Sequence, residues 1–390
     1  MRGEDRMAIN RRGRLEHLFL IDVRRRLINN TPYDVLRLAS RFPRDRVEVI
    51  DLRFHPPELP LPPSDSISLF LETAGTWMCF DWDPQRFRER LDSLRDLHAE
   101  LTVVGPQARA VSALTGRPLR VIESLDFQKE FADNGPSRNS GISDEWLEPQ
   151  LHVNYNGEFF DGKRMHLARA FSIGFSMNCP LQCSFCYYAD IEPTAKPAFL
   201  AFVSELERIW EHGYTHFYFT DPNFLLNAAE YTELRDLYER TGQTFSYYCQ
   251  VSPNFLTTSR IQQLAASGCH GMVIGIENRV RIADKGSIEE ARERITQVRA
   301  AGMMPMLFFM IDGENEIEDL LSEFPGIPFR YTVINHAFAS DRSLSSICAG
   351  FEAKRQLAGR YRGVIERLQQ RPDYLGFAEH STQFRVESVP

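Results

Sequence analysis

The chain has 390 residues, of which 43% are hydrophobic and 12% aromatic, enough to build the cores of two ordinary domains. Its formal net charge of -8 argues against a partner gripped mainly through a phosphate backbone, because such binding multiplies Lys and Arg contacts. No run approaches the roughly 20 apolar residues of a membrane span, and Met1-Arg-Gly-Glu-Asp-Arg6 lacks the apolar core of a signal peptide, so a cytoplasmic protein with no membrane partner is expected.

The run 18–23, Leu-Phe-Leu-Ile-Asp-Val, reads as a buried strand, and Val47-Glu-Val-Ile-Asp-Leu52 as another. Between them Arg24-Arg25-Arg26 is solvated surface, and Thr31-Pro32 signals a helix carrying Val35, Leu36, Leu38, Ala39 and Phe42 at helical spacing. After a proline-rich loop at 55–63 come a strand at 67–71, a helix at 84–98, a strand at 101–104, a short helix at 108–114 and a strand at 119–122. This alternation predicts an α/β chain whose first domain, 15–127, is a doubly wound, Rossmann-like parallel sheet of about five strands.

Residues 128–165 lose the pattern and read as a linker. Strands are then predicted at 169–176, 215–220, 244–251, 271–276, 304–311 and 329–334, alternating with helices such as the one marked by Ile288, Ala291, Ile295 and Val298. Gly213, Gly242, Gly268 and Gly302 fall where a helix must stop before the next strand. Repeated strand-then-helix units over 166–338 predict a parallel barrel or partial barrel, with its site at the carboxyl ends of the strands. The tail, 339–390, reads as a helical extension containing an amphipathic helix at 351–370.

Three of the seven cysteines stand in Cys179-Pro-Leu-Gln-Cys183-Ser-Phe-Cys186, directly after the first of these strands. A C-x3-C-x2-C loop turns three thiolates toward one point, as soft metals and iron-sulfur clusters require. A structural zinc is the rival reading, with Cys249 or His270 as fourth ligand, although neither belongs to a second short-spaced pair. Cys79, Cys249, Cys269 and Cys348 sit in apolar surroundings and read as buried small hydrophobes.

With the aromatic Phe185 before its last cysteine, this loop resembles that of the radical S-adenosylmethionine (radical SAM) superfamily, whose signature is CxxxCxxC. The resemblance runs through most of residues 165–325 and extends to the branch with an N-terminal cobalamin-binding-like domain. It implies a partial (β/α)6 radical SAM barrel with a [4Fe-4S] cluster on Cys179, Cys183 and Cys186. The fourth iron would chelate S-adenosylmethionine, in keeping with the vacant position that makes a metal site catalytic. An electron donor such as flavodoxin or ferredoxin, and reductive release of a 5'-deoxyadenosyl radical, are implied with it.

Thr220-Asp-Pro-Asn-Phe224 is similar to the Asp-x-x-Phe segment of that branch, which implies that Asp221 binds the methionyl ammonium; the plain alternative is helix capping. Gln250 and Ser252 stand where the family places contacts to the methionyl carboxylate, or are ordinary turn residues. Gly275-Ile-Glu277 matches the branch's Gly-Ile-Glu and implies that Glu277 binds cofactor hydroxyls, against the alternative of a buried ion pair. Asp284-Lys-Gly286 follows the same pattern. Ile311-Asp-Gly-Glu-Asn-Glu316 departs from Gly-x-Pro-Gly-Glu, so Glu314 receives no role.

In the first domain, Thr31-Pro-Tyr-Asp-Val-Leu-Arg-Leu-Ala39 resembles the branch's first helix, and Val103-Val-Gly-Pro106 stands in place of Val-Gly-Gly-Pro. The missing glycine is expected to crowd the approach of a corrin ring. The axial Asp-x-His-x-x-Gly segment is absent, and His98, inside a predicted helix, reads as surface. Cobalamin is therefore a candidate cofactor beside the cluster and S-adenosylmethionine.

Three functions compete. The first is cobalamin-dependent C-methylation of a small-molecule or natural-product intermediate. The second is cobalamin-independent rearrangement, cyclisation, epimerisation or dehydration with a vestigial first domain. The third is a zinc- or cluster-bearing protein without turnover. RNA methylthiolation is set aside because the first domain carries Cys79 alone and no basic C-terminal module follows, so no nucleic-acid partner is expected.

Overall fold

The computed structural model describes residues 14–21, 33–52, 60–70, 84–94, 99–105, 108–113, 119–122, 142–147, 156–160, 165–176, 179–181, 183, 198–278, 281–311, 317–333, 356 and 359–374. Several sequence expectations lie outside these residues: those on Arg24, Arg25, Arg26, Thr31, Pro32, Cys79, His98, Pro106, Phe185, Cys186, Glu314 and Cys348.

The first sheet comprises β1 (Leu15–Ile21), β2 (Val47–Asp51), β3 (Ser64–Phe70), β4 (Glu100–Val104) and β5 (Arg120–Ile122). Its order is β2-β1-β3-β4-β5, and every pair is parallel. Helices α1 (Tyr33–Ala39), α2 (Pro84–Leu94) and α3 (Ala108–Ala113) connect the strands. Near-continuous apolar runs suit strands covered on both faces. Phe19, Phe70 and Val104 pack with the α1 residues Val35, Leu36 and Ala39, whereas Leu18, Leu20, Leu69 and Val103 pack with Leu91 and Leu94 of α2. The strand order reverses between β1 and β3, and the carboxyl ends of these two strands border the crevice where such sheets take ligands.

The stretch read as a linker contains structure. Helix α4 (Asp144–Leu147) and strand β6 (Asn156–Phe160) lie within it, and β7 (Met165–Ile173) begins at its end. Trp146 and Leu147 are buried, with the Arg44 guanidinium 4.0 Å from the Trp146 ring centroid. The Ser143 amide donates to Ser40 Oγ at 2.9 Å, which ties the segment to the end of α1. A four-residue helix offers too little periodicity to be seen in sequence.

The second sheet continues with β8 (His216–Phe219), β9 (Ser246–Gln250), β10 (Cys269–Glu277), β11 (Met304–Ile311) and β12 (Phe329–Val333). Strands β7 to β12 are parallel and follow chain order, and β6 adds an antiparallel edge on β7. Among the described residues β6 and β12 do not pair, so the barrel is partial. Helices α5 (Phe199–Glu211), α6 (Ala228–Arg240), α7 (Thr258–Ala266), α8 (Ile288–Ala300) and α9 (Ile317–Ser322) alternate with these strands. The tail contributes α10 (Arg362–Gln369), whose Val364 and Leu368 are buried.

Alternation along each strand sends Phe217, Phe219, Tyr247, Cys249, Ile274, Leu307 and Phe309 into the core shared with the helices. All four predicted helix-ending glycines take positive φ, and a Cβ on Gly268 would lie 2.7 Å from the Tyr238 ring. Asn227 and Ser287 start α6 and α8 with capping boxes. The core runs on into the first sheet, where Tyr33 of α1 meets Phe171 of β7 edge to face at 6.1 Å.

Candidate functional site

The barrel's candidate rim is built where successive strands end. β7 stops at Ile173, and the chain turns through Gly174 into Phe175, which is buried against Phe199 and Phe202 at centroid distances of 5.0 and 5.1 Å. Cys179 follows with partial exposure and Cys183 is buried. They are two of the three residues expected from sequence to ligate a cluster. The third, Cys186, and the neighbouring Phe185 lie outside the described residues.

Asp221 sits just past β8 and is 2% exposed. Its Oδ2 accepts the Phe175 amide at 2.9 Å and its Oδ1 accepts the Ser176 amide at 2.6 Å. The helix-capping alternative is not realised, because Asn227 caps the following helix.

The loops after β8 and β9 are tied together. The Phe224 amide donates to the Gln250 carbonyl at 2.7 Å and the Ser252 amide to Asn223 Oδ1 at 3.1 Å. Phe224 is fully buried, its ring 4.7 Å from that of Phe219. Gln250 Nε2 donates to Tyr218 Oη at 2.5 Å, and burial pushes the Tyr218 phenol above its ordinary range. Three buried polar atoms on this rim, Thr220 Oγ1, Asn223 Nδ2 and Ser252 Oγ, have no partner among the described residues. Leaving such atoms unsatisfied costs about 1–3 kcal/mol each, which is tolerated where a ligand completes the bonding.

Glu277 ends β10 with φ +64°, in a region that side chains other than glycine rarely adopt. The pairing with β11 is irregular between Gly275 and Glu277. Glu277 Oε1 is ion-paired with Lys285 Nζ, and Lys285 also donates to the Gly275 carbonyl at 3.4 Å. The buried ion pair weighed from sequence is thus present, yet Glu277 Oε2 remains buried and unpartnered among the described residues. A Cβ on Gly275 would overlap Glu277 Oε1 and lie 2.7 Å from Lys285 Nζ, so the glycine leaves the room the pair occupies. Lys285 received no role from sequence; its signal was the Asp-Lys-Gly segment eight residues past Glu277. Tyr218 and Asn223 were also missed, since nothing but tertiary pairing with Gln250 and Ser252 marks them.

Neither fourth ligand weighed for zinc joins a group of metal-ligating side chains among the described residues. Cys249 is fully buried on the helix side of the sheet, its Sγ 4.0 Å from that of Cys269, and burial holds its thiol protonated. His270 occupies the opposite face, next to Tyr248 at a centroid distance of 5.7 Å. Cys249 and Cys269 are the buried small hydrophobes expected.

In the first domain Gly105 leaves β4 with φ +135° and donates its amide to the Ile122 carbonyl at 2.8 Å. Val104, in place of the expected glycine, is fully buried in the core with Phe70 and Ile122. Its bulk lies inside the fold, so the expected crowding does not arise from this side chain.

No family model and no curated protein matches the chain. Among solved structures it is similar to the radical S-adenosylmethionine methyltransferase TsrM from Kitasatospora setae, with cobalamin and a [4Fe-4S] cluster bound. The two are 16% identical over 83% of this chain and 76% of that one, with a TM-score of 0.57. The same methyltransferase with tryptophan substrate and an S-adenosylmethionine analogue bound gives a TM-score of 0.56 at 16% identity, covering 81% of this chain and 72% of that one. The likeness extends across both sheets and establishes the fold.

Proposed function

We propose that this chain, which has the fold of a radical SAM protein with an N-terminal cobalamin-binding-like domain, is a radical SAM enzyme that methylates an unactivated carbon of a small-molecule or natural-product intermediate. The observation that carries the reading is one rim. Cys179 and Cys183 follow β7, and buried polar atoms without a partner among the described residues mark the ends of the next three strands at Thr220, Ser252 and Glu277.

These residues fit the groups the reading requires. Thiolates of Cys179, Cys183 and Cys186 would hold a [4Fe-4S] cluster, with one iron open to S-adenosylmethionine. Ser252 Oγ and Asn223 Nδ2 are hydrogen-bond donors suited to the methionyl carboxylate, and Gln250 orients this loop pair through Tyr218. Glu277 Oε2 is an acceptor suited to ribose hydroxyls, and Lys285 is ion-paired with the other carboxylate oxygen. The β1/β3 crevice, with Gly105 just past the end of β4, would receive cobalamin. When bound, the cluster supplies the electron that cleaves the sulfonium and the corrin supplies the transferred methyl group. The chain's own part is to bind, orient and exclude water. A flavodoxin- or ferredoxin-type donor would deliver the electron.

Anaerobic reconstitution with iron, sulfide and hydroxocobalamin tests the reading. Retained corrin absorbance, together with S-adenosylhomocysteine and 5'-deoxyadenosine on addition of S-adenosylmethionine, dithionite and a methyl-accepting substrate, is expected. A loaded cluster without corrin, forming 5'-deoxyadenosine alone, would replace methylation by cobalamin-independent radical chemistry.

A further inference from the structure

We propose that Asp221 is a positioning residue that holds the start of the cysteine loop, rather than a contact to S-adenosylmethionine. The proposal rests on the reading of Cys179, Cys183 and Cys186 as cluster ligands.

The β7 strand ends at Ile173, whose carbonyl still accepts the Thr220 amide at 3.0 Å. This last rung sets Asp221 beside the residues that leave the strand. The carboxylate then spans consecutive amides, Phe175 on Oδ2 at 2.9 Å and Ser176 on Oδ1 at 2.6 Å, three residues before Cys179. Two charge-assisted bonds to a carboxylate with 2% exposure fix the direction in which the loop departs. Phe175 adds a second anchor through its packing on Phe199 and Phe202. Both carboxylate oxygens are thereby directed at the loop backbone. A role of this kind resembles the outer contacts that orient metal ligands without touching the metal.

Hydrogen exchange in the cluster-free protein and iron release from the reconstituted protein together test this. Asp221→Asn turns an NH2 group toward one of the two amide donors, so Asp221→Ser, which removes both bonds without that clash, is made beside it. In whichever variant folds, exchange at the Phe175 and Ser176 amides should quicken at least roughly tenfold, with the Asn227–Glu230 cap unchanged. After reconstitution, iron loss to a chelator should also be about tenfold faster, with an altered electron paramagnetic resonance spectrum of the reduced cluster. Wild-type exchange at the two amides, or wild-type iron retention and spectrum, would overturn the proposal. So would weakened S-adenosylmethionine binding on an unchanged cluster, which would make Asp221 a ligand contact. If the wild-type protein takes up no cluster, the functional reading fails, while exchange still reports whether Asp221 holds the loop.

Discussion

Glu277 and Lys285 form an ion pair with side-chain exposures of 5% and 10%, at a strand end where Glu277 adopts φ +64°. Breaking a buried pair leaves one charge without compensation, at a cost of about 3–5 kcal/mol. Lys285→Met should therefore lower the unfolding free energy of the cluster-free protein by about 3–5 kcal/mol in urea titrations. A loss below about 1 kcal/mol would show that the pair is effectively solvated.

Gly275→Ala places a methyl group against the same pair. The expected loss is about 1–3 kcal/mol in the native background. It should shrink when Glu277 is already alanine, because the overlapping atom is gone. A double-mutant cycle on unfolding free energies measures that coupling, and strict additivity would contradict the packing described.

Ser252→Ala and Thr220→Val remove buried hydroxyls that lack partners among the described residues. Each should leave the cluster-free protein as stable as wild type or more stable by about 1 kcal/mol. Ser252→Ala should nonetheless weaken S-adenosylmethionine binding to the reconstituted protein about tenfold, equivalent to about 1.4 kcal/mol. Equilibrium binding and urea unfolding on the same preparations check both halves. A variant that loses stability without losing affinity would remove Ser252 from the ligand site.

His216 contacts Ser246 Oγ at 2.5 Å, and burial, with the nearby His270 adding to it, lowers its pKa below the ordinary 6.5. Burial likewise lowers that of His17. The unfolded chain then binds protons that the folded chain does not, so stability from these groups is present above pH 6.5 and is lost as pH falls toward the lowered folded values. Urea midpoints should fall between about pH 7 and about pH 5, and His216→Asn should flatten part of that slope.

Arg208 joins the segment before the barrel to α5 through Asp144 at 2.5 Å, Glu205 at 2.9 Å and the Ile142 carbonyl. The Ile142 amide in turn donates to Glu205 Oε1 at 2.8 Å. Arg208→Ala should cost about 1–3 kcal/mol, because Glu205 is left buried without its cation. Limited proteolysis should show faster cleavage within residues 142–147.

The two-sheet plan was legible because apolar periodicity and helix-ending glycines are local signals. Four glycines marked the same turn, and each has the left-handed backbone that the reading required. Boundaries drifted where pairing, not composition, ends a strand: β7 starts at Met165, and β10 runs from Cys269 to Glu277. The segment before the barrel escaped because Trp146 and Arg208 act through distant partners that no short window contains.

At the candidate site, residue types and their order were already plain in the chain: a thiol-rich loop after the first barrel strand, then Asp221, Gln250, Ser252 and Glu277 at later strand ends. Their chemistry is local, so their spacing could be read. Which groups face one another depended on the three-dimensional fold. It turned Asp221 onto the Phe175 and Ser176 amides, paired Glu277 with Lys285, and left Thr220 Oγ1, Asn223 Nδ2 and Ser252 Oγ buried without partners among the described residues. Charge pairing and desolvation depend on distances across the fold, and parallel strands set those distances by bringing together residues far apart in the chain.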